Sequence, residues 1–406
     1  MRVSDFRLPV VFLLVTVAID ALGIGLILPV MPDLIGEVSH RGLSGAAMWG
    51  GVLATVYAAM QFLFAPLLGA LSDAVGRRPV LLSTLGLMVI DYVVMAYTQS
   101  LPVLLIARTI GGFAAATHST AFAAMADLSP PEKRTQSFGL IGAAFGLGFV
   151  LGPTIGGLLG EFGTRAPFWL AAALAGANTV LGFWAFPETN PHHNRRRFRA
   201  REANPFGAFR ALSKMPGIRR GLTILFLYHV AFAVYPAVWA FFGHARFGWG
   251  ASVIGISLGI FGISYAAVQA GIIRLLLRRF GESGTALFGL ICAGVAFALI
   301  PFIEDGRLVL ALTPVAALGG TLGPAVQGMM SQSLTPDRQG ALQGVLTSTA
   351  ALASVVSPLI MTSVFAAFTA PGRDAFPGAP FLVSLALIFA ATALLLLGRS
   401  LRPSPA

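Results

Sequence analysis

Cysteine and charge are both scarce in this 406-residue chain. Cys292 stands alone, so the chain has no internal disulfide. Only 11% of the residues are charged against 56% hydrophobic, which excludes an ordinary water-soluble protein of this length. Acidic residues are the scarcest charges, 16 against 27 Lys and Arg. The resulting net charge of +11 would suit nucleic acid, but no basic platform interleaved with aromatic residues is present. Also missing are a nucleophile–His–acid set, a metal-ligand cluster, a phosphate loop and any soluble stretch longer than one short linker. The chain therefore reads as neither an enzyme nor a sensor.

Long apolar runs fill the rest. About twelve are long enough to cross ~30 Å of hydrocarbon, which takes ~20 helical residues each. They lie near 9–33, 47–70, 80–98, 102–126, 137–160, 166–186, 220–242, 251–273, 284–303, 308–331, 341–368 and 379–398. Arg2 and Arg7 before the first run imitate a signal peptide. That run is too long, carries Asp20 and has no small-x-small cleavage site, so it is expected to stay as the first span. The 47 glycines suit membrane helices that pack through small residues. The fold class expected is an all-α polytopic membrane protein, with twelve transmembrane helices in two six-helix halves.

Orientation follows from Lys and Arg. With the N-terminus in the cytoplasm, only Arg41, Arg165, Arg246, Arg307 and Arg373 fall on the outer side, and Arg108 lies within a span. The other basic residues are then cytoplasmic, which places both termini there. The longest polar stretch, 187–219, holds Pro187, Pro191, Pro205, Pro216 and the run Arg195-Arg196-Arg197-Phe198-Arg199. It reads as a solvated basic linker near anionic lipid, with a short surface helix between Asn204 and Lys214. It divides an N-terminal half, 1–186, from a C-terminal half, 220–406, as in the internal repeats of many transporters.

Charges inside the spans are candidates for function. An ionised Asp at the centre of a membrane helix costs roughly 2.5–3.5 kcal/mol on insertion scales. Asp20 stands halfway along the first run, before Gly23, Gly25, Pro29 and Pro32. It is either a structural carboxyl bonded to a neighbouring helix or one that handles a proton or ligand. Asp91 is the other acidic residue well inside a span, and Arg108 follows it across a short outer turn at similar depth. The two are expected to pair, as a coupling device or as a permanent strut, with Asp20 as a competing partner. Tyr228, Phe232, Tyr235 and Trp239 form one helical stripe. It is either packing, with Trp239 in the interfacial belt, or the wall of a cavity for a flat apolar compound. Gln269 and Gln327 would then be its polar handles. His118 and His229 are lone intramembrane histidines, read as packing residues.

Two motifs carry a resemblance. Gly69-x-Leu71-x-Asp73-x-x-Gly76-Arg77-Arg78 resembles the signature loop of the major facilitator superfamily. Gly69 allows close helix contact and Gly76 a tight turn. Asp73 can accept from a helix N-terminus or an arginine, and Arg77 and Arg78 hold the loop in the cytoplasm. The loop is a topological anchor or a latch between the halves. Gly139, Gly148, Gly152-Pro153 and Gly156-Gly157 resemble the glycine-rich antiporter motif of drug-efflux members. Leu104-x-x-x-Arg108-x-x-Gly111-Gly112 resembles the proton-relay motif, with Gly111 where the family often has Gln.

The whole is similar to the twelve-span drug:proton antiporters, and within them to the tetracycline/proton antiporters. That resemblance implies the major facilitator fold and proton-coupled efflux of a tetracycline-type or other drug-like compound, by alternating access. It places Asp20, Gln61, Ser72, Asp73, Asp91 and Arg108 on functionally sensitive positions. It departs at Ala293, where some members have a carboxylate, and at Tyr265, where many have His. The expected partners are a small hydrophobic or amphiphilic substrate, protons and the bilayer of a bacterial inner membrane. No cofactor beyond the proton gradient is expected, the substrate can enter as a metal chelate, and the protein is expected to be a monomer. The alternative is a uniporter or symporter for a native metabolite.

Overall fold

In hydrocarbon a backbone N–H or C=O finds a partner only inside its own helix, so apolar runs of this length fold as helices. The computed structural model describes residues 7–130, 133–195, 198, 216–335, 338–372 and 374–397. The surface helix expected between Asn204 and Lys214 lies outside them. Among the described residues 11 helices are long and apolar enough to cross a membrane. One of these, Ala251–Phe302, runs for 52 residues. It is cut by Gly281, whose φ of 64° and ψ of −174° are not helical. Split there, the helices give the twelve segments that the apolar runs foretell.

Several segments are broken, and most breaks have a proline beside them. The first run ends as a helix at Ile27 (α1, Arg7–Ile27) and restarts as α2, Met31–Ser39. Pro29 has no N–H to give the Gly25 carbonyl. The N–H of Leu28 takes that carbonyl instead, at 3.2 Å. The second and third spans are α3, Leu43–Val75, and α4, Arg77–Tyr97. The fourth is two helices, α5 Leu101–Ala114 and α6 Thr117–Leu128. The fifth and sixth are α7, Arg134–Gly160, and α8, Ala166–Ala185.

The seventh span is α9, Pro216–Phe232, and α10, Val234–Phe247, interrupted just before Pro236. The eighth, α11, Ala251–Ala267, passes through a wide π turn at Val268–Ile272 into α12, Ile273–Leu299. The tenth is α13, Gly306–Leu318, then a tight turn at Gly319–Thr321 and α14, Leu322–Gln332, with Pro324 in its first turn. The last two are α15, Gln339–Phe368, and α16, Ala379–Leu396.

Packing sorts the chain into two compact units. One is drawn from Met1–His40, Val56–Pro205 and Gly250–Ile256, the other from Arg41–Thr55, Phe206–Trp249 and Ser257–Ala406. The first unit is built on a glycine seam. A Cβ on Gly148 would run into the Ala18 carbonyl, one on Gly152 would lie 2.6 Å from the Leu22 carbonyl oxygen, and one on Gly156 would strike that of Leu26. Three glycines four apart on α7 thus meet backbone four apart on α1, the ridge-on-ridge contact that only a missing side chain permits. Pro153 packs between them against Gly25, and Gly157 faces Gly255. A buried bond from Asn178 to Thr16, 3.1 Å, ties α8 to α1.

The second unit has an aromatic core. Tyr228 and Phe232 stand 4.5 Å apart, Phe232 and Tyr235 5.8 Å, and Tyr235 and Trp239 5.4 Å. Phe297 and Phe381 close around Tyr235 at 5.8 and 6.2 Å. Trp239 is therefore no interfacial anchor. It is 2% exposed, and its indole donates to Ser257 Oγ at 2.8 Å.

Candidate transport site

Span 3 and span 4 bring the first unit's opposite charges together. Arg108 Nη2 donates to Asp91 Oδ2, and both residues are buried, 5% and 1% exposed. The helices can sit this close because position 111 is glycine. A Cβ there would lie 2.5 Å from Asp91 Oδ2 and 3.0 Å from Oδ1. Any longer side chain there would collide with the carboxylate, so Gly111 and Asp91 are one design. Tyr57 of span 2 lays its ring over the guanidinium, 5.0 Å from centroid to Cζ. The pair remains under-bonded: among the described residues Asp91 Oδ1, Arg108 Nε and the Tyr57 hydroxyl have no hydrogen-bond partner.

Asp20 does not compete for Arg108. It is 7% exposed and makes no hydrogen bond or ion pair among the described residues. Its neighbourhood is Tyr57 and Tyr92, both within electrostatic reach, and Tyr92 lies against Gly23 one turn on. Two membrane carboxyls in one unit thus have opposite settings, one clasped by a cation and the other without a partner.

A recurring device sits at the helix breaks. Gln61 Nε2 donates at 3.3 Å to the carbonyl of Ala115, which the break in span 4 leaves free. Gln269 Nε2 donates at 3.3 Å to the carbonyl of Gly320, in the break of span 10. Both glutamines end the segment Tyr-Ala-Ala-x-Gln, which occurs at 57–61 and again at 265–269. This short internal repeat is visible in the sequence. Each copy faces a Gly-Gly pair. Gly112 meets the Tyr57 backbone, and Gly320 meets the Tyr265 ring. The copies differ in what lies beside them. Gly111 packs on Asp91, whereas Gly319 packs on Ala293 and Phe232.

In the second unit Phe232, Tyr235, Tyr265 and Gln269 gather around the turn at Gly319–Thr321. Phe261 bridges Tyr235 at 5.0 Å and Tyr265 at 6.1 Å. Tyr228 and Trp239 extend the stripe to either side. Gln327 stands in α14, half-buried and with no side-chain hydrogen bond among the described residues. His118 shares the Ala115 carbonyl with Gln61 through Nδ1 at 3.3 Å, and its Nε2 is buried without a partner.

The signature loop forms a network within the first unit. Gly76 takes φ 118°, a conformation that favours glycine. Arg77 is its hub. It donates to Ser72 Oγ at 2.6 Å and Asp127 Oδ2 at 3.0 Å, and pairs with Asp73 Oδ1 at 2.5 Å. Ser72 donates in turn to the Gly69 carbonyl at 2.8 Å. The α4 N-terminus is capped not by Asp73 but by Glu188, which accepts from the backbone N–H of Arg77 at 2.8 Å and of Arg78 at 3.3 Å. Asn190 donates to the Asp73 carbonyl at 3.1 Å. Arg78 reaches the Phe183 carbonyl at 2.7 Å. Sequence reading missed Glu188, Asp127 and Asn190 as partners because they are remote in the chain. A carboxylate on two free N–H groups of a helix start contributes about 1–2 kcal/mol. Glu188→Ala should therefore lower stability by that amount in detergent unfolding, and an unchanged midpoint would remove the cap from the account.

The model of the family described as Major Facilitator Superfamily matches residues 13–358. The tetracycline resistance protein, class C, of Escherichia coli is 40% identical over 357 residues, covering 88% of this chain and 89% of that one. The class D protein of Salmonella ordonez is 35% identical over 397 residues, 98% of each chain. The crystal structure of the human organic anion transporter MFSD10 is 27% identical, covers 96% of this chain and 99% of that one, and superposes with a TM-score of 0.68. These matches cover most of the chain, and the chain belongs to the major facilitator superfamily as a multi-pass membrane transporter.

Proposed function

We propose that this transporter exports a tetracycline-type or other hydrophobic drug-like compound from the cytoplasm in exchange for protons, by alternating access. The observation that carries the reading is the pair of buried carboxyls in the first unit, Asp91 clasped by Arg108 and Asp20 without a partner among the described residues. A membrane protein keeps such groups where they move ions or protons. Identity to tetracycline resistance proteins over most of the chain supports the substrate class. The aromatic group around Tyr235 and Tyr265 offers flat apolar faces to such a molecule, with Gln269 and Gln327 as polar contacts. A tetracycline would arrive as its divalent-metal chelate, the metal being part of the cargo. The loop carrying Asp73 and Arg77 serves as the cytoplasmic latch, both termini lie in the cytoplasm of a bacterial cell, and the working unit is one chain.

The likeness to a human organic anion transporter supports a second reading, a carrier for a native organic anion. Everted vesicles separate the two. Imposing an acid-inside gradient should drive accumulation of tetracycline with magnesium, and a protonophore should abolish it. Accumulation that persists after the gradient is collapsed would reject proton coupling. A wide panel with no drug transported, but with organic anion exchange, would favour the second reading.

A further inference from the structure

Proton uptake by the buried pair leaves a charge behind. When Asp91 takes a proton, Arg108 loses its counter-ion, and a guanidinium does not become neutral in a protein. The cation then depends on whatever else touches it. Its Nε has no hydrogen-bond partner among the described residues. What faces it is the ring of Tyr57, with the centroid 5.0 Å from Cζ. An aromatic face attracts a cation most when no carboxylate alongside neutralises that cation and water is excluded, so the ring favours the state in which Asp91 is protonated.

We propose that Tyr57 is a positioning residue for this pair: its ring holds the Arg108 guanidinium in place while Asp91 is protonated. Its meaning for transport rests on the proton-coupled reading above. The ring is placed by backbone rather than by its phenol. Gly112, one turn past Arg108, has no room for a side chain because Tyr57 Cα and Met60 Cβ would each lie 2.9 Å from it. The Tyr57 hydroxyl itself has no hydrogen-bond partner among the described residues. The second copy of the repeat serves as an internal control. Tyr265 packs on Gly320 and stacks on Phe261, and among the described residues no cation stands over it. The same segment thus places a tyrosine in both units, and only the first gives that tyrosine a charge to hold. The ionisable groups around the pair are Tyr57 from span 2, Tyr92 from span 3 beside Asp91, and Asp20 from span 1.

Infrared titration of the purified full-length protein, without substrate, tests this from about pH 4 to about pH 9. The carboxylic C=O band absent from Asp91→Asn reports protonation of Asp91. In Tyr57→Leu the midpoint of that band should move to lower pH by about one unit, a tenfold loss in proton affinity. In Tyr57→Phe, which keeps the ring and loses the hydroxyl, it should match the wild type. If Tyr57→Leu does not fold, Tyr57→Met takes its place. A wild-type midpoint in the leucine or methionine variant, an equal shift in the phenylalanine variant, or no Asp91 band in the wild type would each overturn the proposal. No drug enters the measurement, so a failed transport assay leaves the result standing.

Discussion

Arg108→Gln is expected to destabilise the protein by about 3–5 kcal/mol, the usual loss when one partner of a buried ion pair is removed. It leaves the Asp91 carboxylate, 1% exposed, without its counter-charge. Asp91→Asn should cost a comparable amount, because the Arg108 cation then keeps only the face of Tyr57. Removing both charges together should cost less than the sum, since no lone charge remains. A double-mutant cycle on unfolding in detergent measures the difference. Strictly additive losses would show that the two groups touch without being coupled. Coupling of full size in stability, combined with unimpaired vesicle transport in the double mutant, would make the pair a strut and remove it from the transport cycle. The strut and the coupling device share one geometry, so the transport arm of the experiment decides between them.

The twelve segments were legible because apolar length is a local property of the sequence. The Asp91–Arg108 pair was legible for a related reason. Two charges at similar distance from one short outer turn must come to similar depth on adjacent helices. Three breaks have a proline near them, Pro29, Pro236 and Pro324, but Pro66, Pro153, Pro314 and Pro358 lie inside continuous helices, so proline alone does not locate a break. Span 4 breaks at Ala115 and Ala116, residues of the highest helix propensity, so nothing local announces it. The partner that meets the freed carbonyl from elsewhere in the chain is Gln61, 54 residues away. Glu188 was hidden for the same reason. It lies far along the chain from the two N–H groups it caps, and only the fold brings them together. Trp239 shows the opposite failure. An indole near a helix end reads as an interfacial anchor, but Ser257 supplies the partner that lets it be buried.

The other large effect concerns where the proton is carried. In the second unit no described carboxylate lies within a span. Glu282 follows the Gly281 break and accepts from Gln332 at 2.6 Å, and Glu304, Asp305 and Asp374 stand in loops. The first unit has Asp20 and Asp91, and they are not equivalent. An unpaired buried carboxylate is far costlier than the neutral acid, whereas a carboxylate clasped by arginine is compensated. Asp20 is thus the group expected to hold a proton while the site is empty and to give it up when a cationic or metal-bearing substrate arrives. Asp91 can serve as a second carrier once Arg108 is held by Tyr57. A pH-indicator dye in weakly buffered detergent solution reads the released proton directly. Asp20→Asn should release less on substrate addition, and Asp20→Asn/Asp91→Asn should release none. Full release from a folded, substrate-binding double mutant would sink the idea. The proton would then have to come from an imidazole. His118, whose buried Nε2 lacks a partner beside the span 4 break, would be the next group to replace, followed by His229.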